Sequence, residues 1–241
     1  MNSTNNFTAR ESFTRAKNMF FDAWIDSFIN DTKPNAAERC KAYVENLKLS
    51  QHEIRLECNL VTTATNFKFG LTPQQTNTSN LAFLTENRLQ MQDSLVANEY
   101  GVYIAQTAGQ NDTNFALSTY PNTQRFPAVG QVDALLNTFY SNGFFRLTCN
   151  NDVIMPYRGL FNHLYVPQSQ QTAALGAASP NDQVRGAEDG MVTMEPNILL
   201  IGSKGYVPEI VLPAALAVAA ANIRAILIFR GILAQNSTSV S

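Results

Sequence analysis

A mainly β fold, an antiparallel sandwich or barrel preceded by one or two N-terminal α-helices, is what the sequence predicts. Apolar residues in the first 50 positions recur at steps of three or four, which is the period of a helix. From His52 onward, short runs instead alternate apolar and polar residues, which is the period of a strand. Turns and polar loops separate at least seven such runs, without the alternation of strands and long helices that a nucleotide-binding sheet requires.

The first helix begins behind Thr8 and Glu11, which match a capping box in which each side chain satisfies an exposed backbone N–H of the other residue. Two interpretations of its aromatic face are open: it packs on its own domain, or it docks on a neighbouring copy of the chain. A shorter helix is predicted from Asn35 to Leu47. The aromatic face spans about five turns, and the assembly-interface candidates on it are Phe13, Phe20, Trp24 and Phe28.

Strand patterns begin with residues 52–60, where apolar residues alternate with charged or amide residues, so that one face is buried and the other is wet. Phe67 and Phe69 mark a short strand, and Val102 and Ile104 mark another. Residues 132–139 carry apolar residues at helical spacing and predict one or two helical turns.

The second half of the chain repeats the strand pattern. Residues 145–149 alternate, "CNND" predicts a turn, and a further strand runs until Pro156. The run "LFNHLYVPQ" predicts another short strand. Two strands flank the turn from Gly202 to Gly205, and residues 223–230 alternate in the last strand. The small-residue run between these strands is predicted as a short helix or an extended segment.

Three parts therefore make up the predicted organisation: an N-terminal helical arm over residues 1–50, one sandwich domain over 51–235 and a loose tail over 236–241. Residues 168–190 are polar and rich in glycine, alanine and serine. This segment is too long for a simple connection, so we expect a loop that is functional or disordered. If copies of the chain assemble, we expect this loop to contact neighbouring copies.

Low charge is the clearest compositional feature. Charged residues make up 15% of the chain and the net charge is −2, whereas an average soluble protein has about 25% charged residues. A surface of neutral amides and hydroxyls suits extensive contact with other protein. Lysine and arginine do not cluster, so strong direct nucleic-acid binding is not predicted. We predict no secretory signal, because the N-terminus "MNSTNNFTARESF" lacks the apolar region of a signal peptide. We also predict no transmembrane segment, because the longest apolar run, Val211 to Ala221, is too short to span a bilayer.

One group of residues invites a catalytic interpretation, since Cys149, Asp152 and His163 resemble a nucleophile, an orienting acid and a base. Parity, however, places Cys149 on the apolar side of its strand. Asp152 falls in the predicted turn, where aspartate commonly bonds its own backbone. We therefore expect structural roles for all three residues and predict that the chain is not an enzyme.

Cofactor and metal motifs are also missing from the sequence: neither phosphate-binding glycine loops nor zinc-protease signatures occur. The three cysteines are widely spaced and odd in number, which fits neither a zinc site nor a disulfide framework. We predict no cofactor and no metal. A calcium site in the long loop is the less favoured alternative, with carboxylate ligands from Asp182, Glu188 and Asp189.

Four different short motifs follow one another along the chain: Leu147 to Asn150, Val166 to Gln170, Pro196 to Gly202 and Val211 to Pro213. In this order they resemble the jelly-roll capsid proteins of tailless bacterial viruses. The resemblance implies a single jelly-roll-like sandwich. It also implies a structural virion protein, without catalytic residues, that self-assembles into a phage capsid shell in the host cytoplasm. Its partners would be many further copies of itself and other virion proteins.

Two alternative functions stay open at this point. The first is another virion part, such as a spike, minor capsid or tail protein, which would form small fixed oligomers. The second is a carbohydrate-binding sandwich, because such sites expose aromatic platforms. The candidate platform residues are Tyr100, Tyr103, Tyr157 and Tyr165.

Overall fold

The computed structural model describes residues 9–60, 63–73, 75, 88–107, 109, 115–123, 125–165, 190–216 and 222–237. Two helices lead the described chain, α1 (Ala9–Ile29) and α2 (Ala36–Asn46). Short helical segments lie in its middle: α3 (Gln131–Ala134), a π-helical segment (Leu135–Ser141) and a 3₁₀-helix (Leu160–His163). The strands are β1 (Lys48–Asn59), β2 (Asn66–Lys68), β3 (Ser94–Thr107), β4 (Phe144–Cys149), β5 (Asp152–Gly159), β6 (Met191–Ile201), β7 (Tyr206–Val211) and β8 (Asn222–Gln235).

These strands form two four-stranded antiparallel sheets. The first sheet has the order β1-β8-β3-β6, and the second has the order β2-β7-β4-β5. Four pairs, β1 with β8, β2 with β7, β3 with β6 and β4 with β5, nest as the successive rungs of one long hairpin. A long hairpin wrapped into two sheets is the jelly-roll arrangement. The predicted fold class, a jelly-roll-like sandwich behind N-terminal helices, is confirmed.

The main core lies between the two sheets and contains alternate residues of the strands. Leu56 and Leu227 face each other across the β1–β8 ladder, and both are fully buried. From the second sheet, Phe145 approaches Phe229 with 6.2 Å between the ring centroids. Burial of this apolar surface is the main stabilising contribution to the fold, at roughly 25 cal/mol per Å².

The two N-terminal helices pack on the outer face of the first sheet. Phe20 and Ala16 of α1 and Cys40 and Val44 of α2 form one buried cluster with outward residues of β3 and β8. The sheet contributes Val96, Ile232 and Ala234 to this cluster. The helices therefore cover one end of the sheet instead of projecting as a free arm.

A short extended segment covers the other end of the same outer face. Phe115 and Leu117 pack against outward residues of β3 and β8 that include Tyr103 and Ile226. Beneath them Glu57 is fully buried. The expectation that this face of β1 would be wet is therefore wrong at the C-terminal end of the strand, because Phe115 shields it from solvent.

Buried charge on this face is paired. Glu57 forms ion pairs with Arg55 at 2.7 Å and with the equally buried Arg224 at 3.3 Å. Both guanidinium groups also lie over the Phe115 ring, at 5.2 and 4.9 Å from its centroid. A buried carboxylate is tolerated only with such partners, because desolvation of a lone charge is costly.

Local predictions fared unevenly. The last strand and the two strands flanking the turn at residues 202–205 are confirmed, and "CNND" is a turn in which Asn150 and Asn151 both have positive φ. The strand predicted to end at Pro156 instead continues to Gly159, because β5 is an edge strand and needs no further donor at the proline. Residues 160–163 form a 3₁₀-helix instead of the predicted strand.

At the predicted start of the sandwich domain, residue 51, the strand is already formed, because β1 begins at Lys48. In the predicted tail, the Ser237 carbonyl accepts a hydrogen bond at 2.8 Å from the hydroxyl of Tyr43 in α2. The predicted loop over residues 168–190 lies outside the described residues except for Gly190. The same holds for Thr8 of the capping box and for most of the small-residue run before β8.

Candidate assembly surface

Strand β5 forms an edge of the second sheet and, among the strands that the structure describes, pairs only with β4. The register gains one extra β5 residue between Phe145 and Leu147 and another between Leu147 and Thr148. Two bulges in so short a strand bend it and bring additional side chains to its exposed side. A β5 residue between the bulges, Met155, still points into the core.

An exposed apolar surface results at this edge. Nine large apolar side chains are exposed among the described residues, and five of them belong to the β4–β5 hairpin and the 3₁₀-helix that follows it. Such clustering differs from the scattered single exposures that are normal for a soluble protein. We call these five residues the β5 surface: Phe144 (42% exposed), Val153 (54%), Ile154 (39%), Tyr157 (55%) and Phe161 (60%).

The size of the β5 surface is notable for one small domain. Its three aromatic side chains alone leave roughly 300 Å² accessible, given about 200 Å² for a whole aromatic side chain. Contiguous apolar patches of a few hundred Å² on a monomer are often functional. The β5 surface is therefore the strongest candidate interaction site on the described chain.

Packing beneath the β5 surface fixes its central ring. Tyr157 meets Phe144 edge to face, with 5.8 Å between the ring centroids and 75° between the planes. The Arg146 guanidinium lies 5.1 Å from the Tyr157 ring centroid and donates a hydrogen bond to the Tyr157 hydroxyl at 2.9 Å. Arg146 is in turn held by an ion pair with the buried Glu209 of β7. A ring held this way loses little conformational entropy when a partner binds.

The assembly-interface candidates named from the sequence lie elsewhere. Phe20 is fully buried in the cluster between the helices and the first sheet. Phe13, Trp24 and Phe28 are half-buried and pack against the same cluster. Phe28 also lies 5.7 Å from the Tyr43 ring of α2. The four residues thus lie in one cluster, and the chain itself buries Phe20. This favours the interpretation in which the aromatic face of α1 packs on its own domain.

Sequence reasoning missed the β5 surface, although a signal was present. In "DVIMPYRG" the residues after Asp152 are mostly apolar and consecutive, without the polar partners of a half-buried strand. Such a run indicates a strand with apolar residues on both faces. One of those faces is exposed because β5 lies at the edge of its sheet. That position follows from the order of the strands and cannot be deduced from the residues of the run alone.

The structure does not assemble the possible catalytic group. Cys149 and Asp152 are opposite each other at the tip of the β4–β5 hairpin, whereas His163 follows the far end of β5. The length of β4 separates the two ends by roughly 17 Å, at about 3.4 Å per residue. These three side chains therefore cannot act on one substrate atom in this arrangement.

His163 instead has a structural position. Its ring is fully buried, its Nδ1 donates to the Gly190 carbonyl at 3.0 Å, and it meets Tyr100 edge to face at 4.6 Å. Burial lowers the pKa of His163 to about 4, although the bond to Gly190 opposes this shift. The bond joins the chain on the two sides of residues 166–189.

The tyrosines proposed as a sugar platform do not lie on one surface. Tyr100 and Tyr103 are buried, so they offer no platform. Tyr157 and Tyr165 are exposed, but the Arg146 guanidinium occupies one face of the Tyr157 ring. Stacking of a sugar on that face would have to displace a held arginine.

The described residues offer neither a metal site nor a membrane-spanning helix. In this part of the chain no three or more His, Cys, Asp or Glu side chains are placed to hold a metal ion. The carboxylates proposed for calcium, Asp182, Glu188 and Asp189, lie outside it. None of the described helices is both long and apolar enough to cross a bilayer.

Comparisons of the chain with protein-family models, with curated proteins and with solved structures gave no match. What this chain does must therefore be inferred from its fold and from the β5 surface.

Proposed function

We propose that this chain is a structural virion protein that self-assembles into the capsid shell of a bacterial virus. The observation that carries the proposal is an eight-stranded jelly roll whose edge strand leaves an apolar, aromatic surface exposed. Jelly rolls occur in viral capsid proteins, and also in lectins and cupins, so the fold alone is an analogy. The exposed β5 surface adds a physical reason for association.

Two further features support assembly over chemistry. The chain carries few charges, so contact between copies would desolvate few of them. The one group of possible catalytic residues is divided between opposite ends of a hairpin. The protein would reside in the virion after assembly in the host cytoplasm, in many copies and together with other virion proteins.

The test is negative-stain electron microscopy combined with light scattering on the purified chain, across protein and salt concentrations. Closed particles or flat arrays of repeating units are the expected result. Small oligomers of fixed size at every concentration would instead indicate a spike, minor capsid or tail protein. A strict monomer at high protein concentration, with glycan binding that depends on Tyr157, would contradict the proposal and favour a carbohydrate-binding module.

A further inference from the structure

In β5, the run from Asp152 to Arg158 carries opposite charges at equal distances on either side of its middle residue, Met155. On either side of Met155 the sequence reads Asp-Val-Ile and Pro-Tyr-Arg, from Asp152 to Arg158. An acidic residue thus begins the strand core, a basic residue ends it, and the positions between them are apolar. The two bulges also lie on either side of Met155, because the register shifts before and after its partner Leu147.

The charged ends of β5 are available for a partner. Asp152 and Arg158 are both exposed. Neither forms an ion pair with any residue in the described part of the chain. Their strand partners in β4 are Cys149 and Phe145, which point towards the core, so both charges lie on the inner side of the sheet edge.

We propose that β5 is a two-fold contact in which the strand lies antiparallel to β5 of a second copy, with the axis at Met155. This inference rests on the proposed function and names the partner of the β5 surface. In this register Asp152 of each copy is opposite Arg158 of the other, and Val153 is opposite Tyr157. Opposite charges and aromatic–β-branched pairs are both favourable across neighbouring strands.

Charge complementarity is the reason to choose a second copy over another partner. A parallel alignment in register would place like charges opposite each other, because Asp152 would face Asp152 and Arg158 would face Arg158. A shift along the antiparallel strands would bring these charges opposite other residues of the strand. Pairing about Met155 satisfies two ion pairs and buries the apolar centre in one arrangement. A self-complementary patch of this kind is what a two-fold contact between identical chains requires.

Pro156 and the two bulges limit the backbone contribution to this contact. A free sheet edge offers unpaired N–H and C=O groups to another strand, and proline and bulges are common ways to weaken that tendency. A ladder interrupted at Pro156 would therefore be short. Side-chain packing and the paired charges then determine the register, and individual contacts stay reversible.

Charge exchange tests the register directly. We would measure self-association of the full chain by sedimentation velocity over a range of concentrations at low salt. Asp152→Arg or Arg158→Asp alone places like charges opposite each other twice in every contact, and each should weaken association about tenfold. The double variant Asp152→Arg/Arg158→Asp restores opposite charges and should return to within about threefold of the wild type.

Matched controls separate this contact from general effects of charge or polarity. Asp22→Arg makes the same charge change at an exposed position of α1, and should leave association unchanged. Val153→Ser removes an apolar residue from the β5 surface and should weaken association, whereas Val129→Ser, at a fully exposed valine elsewhere, should not. Far-UV circular dichroism and thermal unfolding confirm that each variant folds.

Three results would each overturn the two-fold contact. In the first, neither single exchange weakens association; in the second, the double variant associates no more strongly than the single variants; in the third, the wild type does not associate. Failure of the contact and failure of the proposed function are distinguishable. Particles or arrays that form regardless of the exchanges would leave the shell function standing and remove this contact. Dimers that obey the exchange pattern but never form particles or arrays would support the contact and contradict the shell function.

Discussion

Phe20 lies at the centre of the contact between helix α1 and the first sheet, and Phe20→Ala tests whether the aromatic face of α1 belongs to its own domain. The side chain is fully buried against α2 and against Val96 and Ile232 of the sheet. Truncation of a buried phenylalanine leaves a cavity and costs about 3–5 kcal/mol. This is a large part of the roughly 5–15 kcal/mol that stabilises a typical domain.

Urea unfolding measures the loss. Trp24 is the only tryptophan and packs against the same cluster as Phe20, so its fluorescence reports on this contact, and circular dichroism follows the whole fold. We expect a lower free energy of unfolding for Phe20→Ala at every protein concentration, because the contact is intramolecular. Ile29→Ala, at an exposed residue at the end of α1, is the control and should change stability by less than about 0.5 kcal/mol.

A loss below about 1 kcal/mol for Phe20→Ala would refute this reasoning, since full burial predicts a cost of about 3 kcal/mol or more. So would a wild-type unfolding midpoint that rises with protein concentration and a Phe20→Ala midpoint that does not. Such concentration dependence is the signature of a contact between copies. The helix face would then be the assembly interface that its sequence first indicated.

Two buried titratable groups give further predictions. His163 has a folded pKa of about 4, below its unfolded value of about 6.5, so its neutral form stabilises the fold above pH 6.5 and that stability is lost as the pH falls towards 4. We expect urea unfolding of the wild type to show a loss of about 3 kcal/mol in the free energy of unfolding between pH 6.5 and pH 4. His163→Asn should reduce this loss. The same pH dependence in the variant and the wild type would show that His163 is not the group responsible. Glu57→Gln should destabilise the fold by about 3 kcal/mol, because Arg224 stays buried without its carboxylate. A change below about 1 kcal/mol in thermal or urea unfolding would show that the charge of Glu57 is not required.

Local pattern was enough to predict most strands. The alternation in residues 52–60 and 223–230 is set by which side chains face the core, and that information lies within each run. The Asn150–Asn151 turn was predictable for the same reason, since asparagine tolerates the positive φ that this tight turn requires. The jelly-roll order of the strands was reached only through the resemblance, not through alternation.

Position in the sheet explains most of what the sequence did not predict. A proline ends a central strand but is accepted at an edge, so the end of β5 depended on the sheet order. The run from Leu160 to His163 is too short for periodicity to distinguish a strand from a helical turn. Ile226 and Ile228 of β8 point away from the main core yet are buried, and their apolar character already required a cover on that outer face.

The outer face of the first sheet is largely covered, whereas the β5 surface of the second sheet is exposed, and the exposed apolar area limits how strongly one β5 contact can bind. Helices and the Phe115 segment cover much of the first sheet, whereas the β5 surface stays in solvent. Burial of roughly 300 Å² of aromatic surface on each of two copies contributes at most about 15 kcal/mol at about 25 cal/mol per Å². Association itself costs about 4–15 kcal/mol. One β5 contact is therefore weak to moderate alone, and a stable shell would need further contacts that closure makes simultaneous.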